Sequence, residues 1–365
     1  MEENLMFKLK CDDFLVYDEA TGTYSLPAEQ RIRDETERNR WKNTGLTILK
    51  DWRLYVMLVP MLLIYFLWKY LPMTELMGAF KYAELGKLVN ERDWYGFTYF
   101  REILFGGSTT VAMDRMVRFW QAFRNTFTIA FYGLLFGFPV PIIIALFFNE
   151  VRSNVTRSVL QVCLYLPKFL STVIVTTLAL TLFRPANQGA GADVGIVSKL
   201  LVAICGENSF LGKQAQNGLI ASQYYYRALF VITDLWEHAG YDSIVFFAAV
   251  IAVSPTSYEA AQIDGAGKMA QMRYVVIPSI LSTVVIMLIM KIGGLLSVSY
   301  EKVYLLTTDT NKVVATVVST LTMDKNNPFG DGYGMAAEMV NNIIGMILVI
   351  GANKIASRAS NVSLY

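Results

Sequence analysis

The residues of this 365-residue sequence that could do chemistry are few and lie in apolar surroundings. Asp234, Glu237 and His238 fall on neighbouring turns of one helix, at i, i+3 and i+4. Two carboxylates and an imidazole there suit ion pairing, proton transfer or contact with a polar solute. Charge at the centre of a membrane span costs about 2.5–3.5 kcal/mol and faces a partner or a polar interior. Lys291 stands in a second apolar stretch and Lys168 in a third. At 1.5 Å per residue, Glu237 and Lys291 lie at similar depths, roughly 10–14 Å in, so a mutual salt bridge is expected. A catalytic set would also need a nucleophile converging on these groups, and none is evident. His238 is the single histidine, and Cys11, Cys163 and Cys205 are far apart. No metal site, disulfide framework or catalytic residue is therefore expected.

The second informative stretch is 254–280. Ser254-Pro255 has the form of a helix start, a cap residue followed by Pro. Tyr258 to Ile263 suits a short helix, which Gly265 and Gly267 end, with Asp264 placed to satisfy backbone groups at the turn. A second short helix from Lys268 is expected to stop at Pro278, where the next apolar segment begins. Ala260, Ala261, Gly265 and Ala266 give this helix–turn–helix a small-residue face that another protein could approach closely. An ordinary connector would read the same way on these grounds alone.

These residues need a framework of long apolar helices. The chain is 54% apolar and only 17% charged, with a mean hydropathy of +0.39; soluble domains carry about a quarter charged residues. Six apolar segments run near 53–72, 124–148, 159–183, 228–252, 280–298 and 335–352. Each is long enough to cross roughly 30 Å of hydrocarbon as a helix, and helix is required because lipid offers backbone groups no partner. Lys and Arg number 13 in the 73 residues of 31–53, the 149–158 and 253–279 loops and the C-terminal tail, against 13 in the 128 residues of the 73–120, 184–227 and 299–334 loops. That bias places both termini in the cytoplasm. The first span is expected to serve as insertion signal, since the N-terminal residues carry no apolar run. Residues 1–50 are polar, with a charged helix expected over 28–43, and 51–365 form the membrane domain. The long outer loops suit interfacial helices or a docking surface. Gly137, Pro139 and Pro141 are expected to kink the second span. A net charge of +2 gives no field for nucleic acid.

The 254–280 stretch resembles the EAA loop of bacterial ABC import permeases. That pattern runs Glu-Ala-Ala, three residues, Gly, nine residues, Ile, one residue, Leu-Pro; here stand Glu259-Ala260-Ala261, Gly265, Val275 and Ile277-Pro278. Val275 and Ile277 depart conservatively from the pattern. Asp264-Gly265-Ala266 is similar to the extended form in sugar permeases. Segments 51–73, 123–127, 134–153, 165–167 and 332–356 resemble polysaccharide-type permeases of the carbohydrate uptake class, so the resemblance covers about 51–356. It implies an all-α membrane protein with six spans and the type I importer architecture, in the plasma membrane of a bacterium. It also implies a second permease subunit, two ATPase subunits, an extracellular solute-binding protein and a saccharide substrate. ATP and Mg would sit on the ATPases; this sequence has no G-x-x-x-x-G-K-[ST] phosphate loop. Glu259, Ala260, Ala261, Asp264, Gly265 and Ala266 would form the ATPase-coupling set. Asp234, Trp236, Glu237, His238, Lys291 and Tyr300 are candidates for the substrate path, where Lys291 would meet an acidic sugar. Tyr224, Tyr225, Tyr226 and Tyr241 are further aromatic candidates, although Tyr224–Tyr226 suit interfacial anchoring. The competing readings are the same machinery with another polar solute, a secondary transporter and a membrane-embedded enzyme. A secondary transporter would suit the intramembrane carboxylates, but the two halves show no convincing repeat.

Overall fold

The computed structural model describes residues 16–18, 23–25, 52–84, 87–185, 194–323 and 329–360. The expected helix over 28–43 lies outside them. The chain divides into two compact units, residues 1–75 and 76–365.

The first unit contains an antiparallel hairpin of β1 (Val16–Asp18) and β2 (Thr23–Ser25). It also carries helix α1 (Trp52–Tyr65), which passes through a π-helical turn, Phe66–Tyr70, into a 3₁₀ stretch, Leu71–Phe80, whose last five residues belong to the second unit. Together they form an apolar run from Trp52 to Phe80, longer than the expected 53–72.

The second unit is helical. Helix α2 (Thr98–Phe105) precedes α3 (Thr110–Gly137), which continues as α4 (Pro139–Glu150). The expected kink reduces to one interrupted residue, Phe138, and α3–α4 run on as a 41-residue span. Helices α5 (Asn154–Phe169) and α6 (Thr172–Leu182) meet at 98°. Short helices α7 (Ile196–Cys205) and α8 (Phe210–Asn217) fill the next connection. The long α9 (Tyr226–Ile251) turns by 67° into α10 (Pro255–Ile263). After α11 (Lys268–Gln271) comes α12 (Ile277–Gly293), then α13 (Tyr300–Leu306), α14 (Lys312–Ala315), α15 (Val318–Met323) and α16 (Gly330–Ser360). Among the described residues, four helical runs are long and apolar enough to cross a membrane, or up to six if each bent pair is one span.

Pro278 does not stop the helix before it. Residues 272–276 form a π-turn, with Ile277 N–H bonded to Met272 O, and the helix continues from Lys268 to Gly293. Proline cannot donate to the carbonyl four residues back and its ring crowds that carbonyl; the wider turn ahead of it accommodates both.

The connections before α3, between α6 and α9, and between α12 and α16 hold short helices that pack on the ends of the long ones. Asn125, fully buried on α3, donates to Val313 O at 2.8 Å and Thr316 O at 2.9 Å, and accepts from Arg227 at 2.8 Å. Beside it Thr126 accepts from Val318 N–H. Replacing Asn125 by Ala strands the Thr316 carbonyl and the Arg227 guanidinium, each worth about 1–3 kcal/mol when buried, while Val313 O keeps the Gln121 amide. We expect a loss of about 2 kcal/mol or more, read as a lower melting temperature of the purified protein. On α2, Tyr99 is fully buried in the apolar cluster with Ile103, Phe119 and Tyr333 and accepts from Ala83 N–H at 3.1 Å; burial pushes its phenol pKa up, against the N–H of Ala83 and the charge of Arg115.

Candidate functional site

Two sites emerge from this scaffold. The first is the α10–α11 segment. Pro255 opens α10, but Ser254 does not cap it: its hydroxyl pairs with Thr256 Oγ1 at 2.7 Å. The helix ends in a Schellman motif, with Gly265 N–H bonded to Gln262 O at 3.0 Å and Ala266 N–H to Ala261 O at 2.9 Å. Gly265 has φ of +75°, which any Cβ would strain. The backbone therefore closes the turn, and Asp264 contributes no side-chain hydrogen bond among the described residues.

No residue of α10 is buried. Tyr258 alone packs inward, on the cluster of Leu146, Val250, Val276 and Ile280 where α4, α9 and α12 end. Lys268 forms an ion pair with Glu150 at the end of α4. The segment is thus fastened to three span ends while its outer side stays open. Ile263, Met269 and Tyr274 are 72–86% exposed. Glu259 is exposed and makes no hydrogen bond or ion pair with described residues. Charged, apolar and small side chains are thus presented together on the open side of a fixed helix.

The second site is a cavity of about 340 Å³ between α3, α9, α12 and the α5–α6 corner. The sharp break at Leu170–Ser171 places Lys168 and Thr172 on its wall. Helix α9 contributes Asp234, Glu237, His238 and Asp242; α12 contributes Lys291; and α13 contributes Lys302. Lys302, 1% exposed, stands 3.3 Å from Asp234 Oδ1 and 3.7 Å from Glu237 Oε2, over the ring of Phe230 at 5.0 Å. Glu237 is 3% exposed and accepts from Thr172 Oγ1 at 3.1 Å. His238 Nδ1 lies 3.0 Å from its own helix's Asp234 carbonyl. Ligand atoms of Asp234, Glu237 and His238 come within 4.8 Å of one another, but the ammonium of Lys302 holds the place between the carboxylates that a metal would take. Three cations and three carboxylates line the chamber, so it is polar and close to neutral.

Residues 137–324 match the family described as the binding-protein-dependent transport system inner membrane component. The chain belongs to that family. The permease is 32% identical to the protein LplB of Bacillus subtilis (strain 168) over 317 residues, 87% of this chain and 92% of LplB. It is also 32% identical over 348 residues to YteP of the same organism, a polygalacturonan/rhamnogalacturonan transport system permease protein, covering 94% of this chain and 99% of that one. Among solved structures it is similar to a chain of a bacterial ABC transporter involved in the import of the acidic polysaccharide alginate. That match has 28% identity and a TM-score of 0.70, and covers 87% of this chain and 99% of the other. The same transporter was also solved in complex with a periplasmic protein carrying an alginate pentasaccharide. The resemblance to carbohydrate-uptake ABC permeases is borne out.

The permease gathers most of the expected path residues but pairs them differently. Lys291 bonds Asp242 Oδ2 at 2.7 Å, and Glu237 pairs with Lys302. Depth counted from the ends of two apolar segments misses the register between their helices: Asp242, five residues or about 1.4 turns beyond Glu237 on α9, takes Lys291 instead. Trp236 is 48% exposed and absent from the lining, because it sits about 100° round α9 from Glu237. Tyr300 lines a separate chamber, described below. Tyr226 is core, 1% exposed, while Tyr224 is open; the triplet does not act as one anchor. Lys302 escaped the sequence because it lies outside every apolar segment. Its only signal was the one-turn pattern Lys302, Val303, Leu306, the buried face of a short amphipathic helix.

Proposed function

We propose that this permease is one of two membrane subunits of an ATP-driven importer of saccharides in a bacterial plasma membrane. It spans the membrane six times, with each bent pair counted as one span and both termini in the cytoplasm. Residues 51–365 form the permease domain and 1–50 a cytoplasmic tail. An extracellular solute-binding protein delivers the sugar, a second permease completes the pathway, and two ATPase subunits bind ATP and Mg. This chain holds no cofactor and does no chemistry.

The observation that carries the proposal is the α10–α11 segment: a protruding helix fastened to α4, α9 and α12, with an unpaired carboxylate at Glu259. A rigid body docked on it moves three span ends at once, and the polar cavity lies about two and a half to six turns along α9 from that end. Glu259 supplies the polar contact, while Ala260, Ala261, Gly265 and Ala266 let the ATPase groove approach the backbone. The saccharide assignment is supported by the near full-length similarity to YteP and by the fold shared with the alginate importer. The test is affinity purification of the tagged chain in mild detergent. A second permease and an ATPase should co-purify. Recovery of the folded chain alone would overturn the proposal.

A further inference from the structure

The end of the bundle opposite α10 carries a second pair of chambers that the proposed function leaves unused. Helix α9 is 26 residues, about 39 Å long, and its Tyr226 end packs with Ile129, Val303 and Ala315. Beyond that cluster lies a chamber of about 190 Å³ lined by Arg118 of α3, Tyr300 and Tyr304 of α13, and Lys312 of α14, with threonines between them. Two cations line it and no carboxylate does. Arg118 lies over the ring of Phe329 at 5.8 Å and forms no ion pair with described residues. The ammonium of Lys312 is exposed and has no hydrogen bond or ion pair among them. Tyr300 and Tyr304 stack at 5.7 Å with planes 28° apart, and Tyr304 is 66% exposed. Thr316 gives its proton to Lys312 O, leaving its oxygen to accept.

Unpaired charges of one sign are unusual where lysines deeper in the same protein are matched to carboxylates. A planar guanidinium with a neighbouring ammonium fits a carboxylate. Stacked phenol rings offer a flat apolar wall with hydroxyl edges, which suits a sugar ring. A larger chamber of about 510 Å³ shares Arg118, Lys312 and Thr316 and adds Asp114 and Asp309, so its charge is balanced. Helix α13 separates the small chamber from the central cavity, with Tyr300 on one wall and Lys302 on the other. The loop carrying Lys312 is held by the Asn125 clamp, so its backbone is fixed against α3, the helix that carries Arg118.

We propose that Arg118 and Lys312, walled by Tyr300 and Tyr304, form an outer subsite that binds the carboxylate of an acidic, uronate-containing saccharide before it enters the central cavity. The subsite rests on the saccharide reading above. Its test is initial uptake, by cells expressing the complete importer, of a galacturonic acid trisaccharide and of the same trisaccharide with its carboxyls methyl-esterified. The binding protein is the same in every arm, so a change in preference reports the permease. R118Q/K312Q is expected to lower uptake of the acid about tenfold, equal to about 1.4 kcal/mol, and to leave the ester within about twofold. K312Q alone, at an exposed position outside the core, should show a smaller effect in the same direction. Equal effects on both sugars, or none on either, would overturn the subsite. Wild-type uptake of the ester with exclusion of the acid would overturn it while leaving the saccharide reading intact. Uptake of neither sugar would count against that reading, and the subsite would go with it.

Discussion

Replacing Lys302 by Met is expected to destabilise the permease by about 3–5 kcal/mol, the usual penalty for removing one partner of a buried ion pair. Nearly all of this arises at Glu237. That carboxylate is 3% exposed, and without Lys302 it keeps only the Thr172 hydroxyl. Asp234 contributes little, because its side chain is 44% exposed and water can replace the lysine. Thermal unfolding in detergent, followed by size-exclusion chromatography, reads the effect. The second substitution Glu237→Gln in the same background removes the stranded charge and should restore much of the loss. A double variant no more stable than Lys302→Met alone would mean that Lys302 acts through packing rather than charge.

A similar loss is expected from Gly240→Ala. A Cβ at Gly240 would fall 2.0 Å from the carbonyl oxygen of Leu164, so α5 and α9 would have to separate. Close helix contacts in lipid depend on such small residues. Overpacking costs typically about 1–3 kcal/mol, and backbone in place of a movable side chain puts this site at the upper end. The effect should appear as reduced yield of folded protein and faster proteolysis. Gly133→Ala on α3 supplies the control: its Cβ would meet nothing within 4 Å. Equal damage at both positions would mean that the cost comes from adding a methyl to a long apolar helix and not from the α5–α9 contact.

Both effects concern residues whose roles were only partly visible in the sequence. Apolar length marked the spans well, because lipid demands it of every crossing segment. It marked their ends poorly where polar side chains are satisfied inside the protein. Helix α3 begins at Thr110 rather than near 124, because Arg115, outside the apolar segment, is paired with Glu102 at 2.5 Å. Read alone, such residues look like loop. The α10 turn was legible at Pro255 and Gly265, whose backbone restrictions are local. The roles expected of Ser254 and Asp264 were not found, because neighbouring backbone and side chains outcompete them. Charge partners were least legible. Helical spacing gave the Asp234–His238 cluster, but Lys302 reaches it, and Lys291 reaches Asp242, only through the packing of α9 against α12 and α13.

The central claim is that the α10–α11 segment transmits ATP hydrolysis to the spans. Its most direct measurement is the ratio of ATP hydrolysed to saccharide imported, in proteoliposomes containing the complete importer, with and without Glu259→Ala. Truncating one partner of a buried interfacial charge contact costs about 2–5 kcal/mol. Saccharide uptake should therefore fall at least about tenfold, while basal ATP hydrolysis persists and its stimulation by the loaded binding protein is lost. Unchanged uptake together with unchanged stimulated hydrolysis would contradict the account.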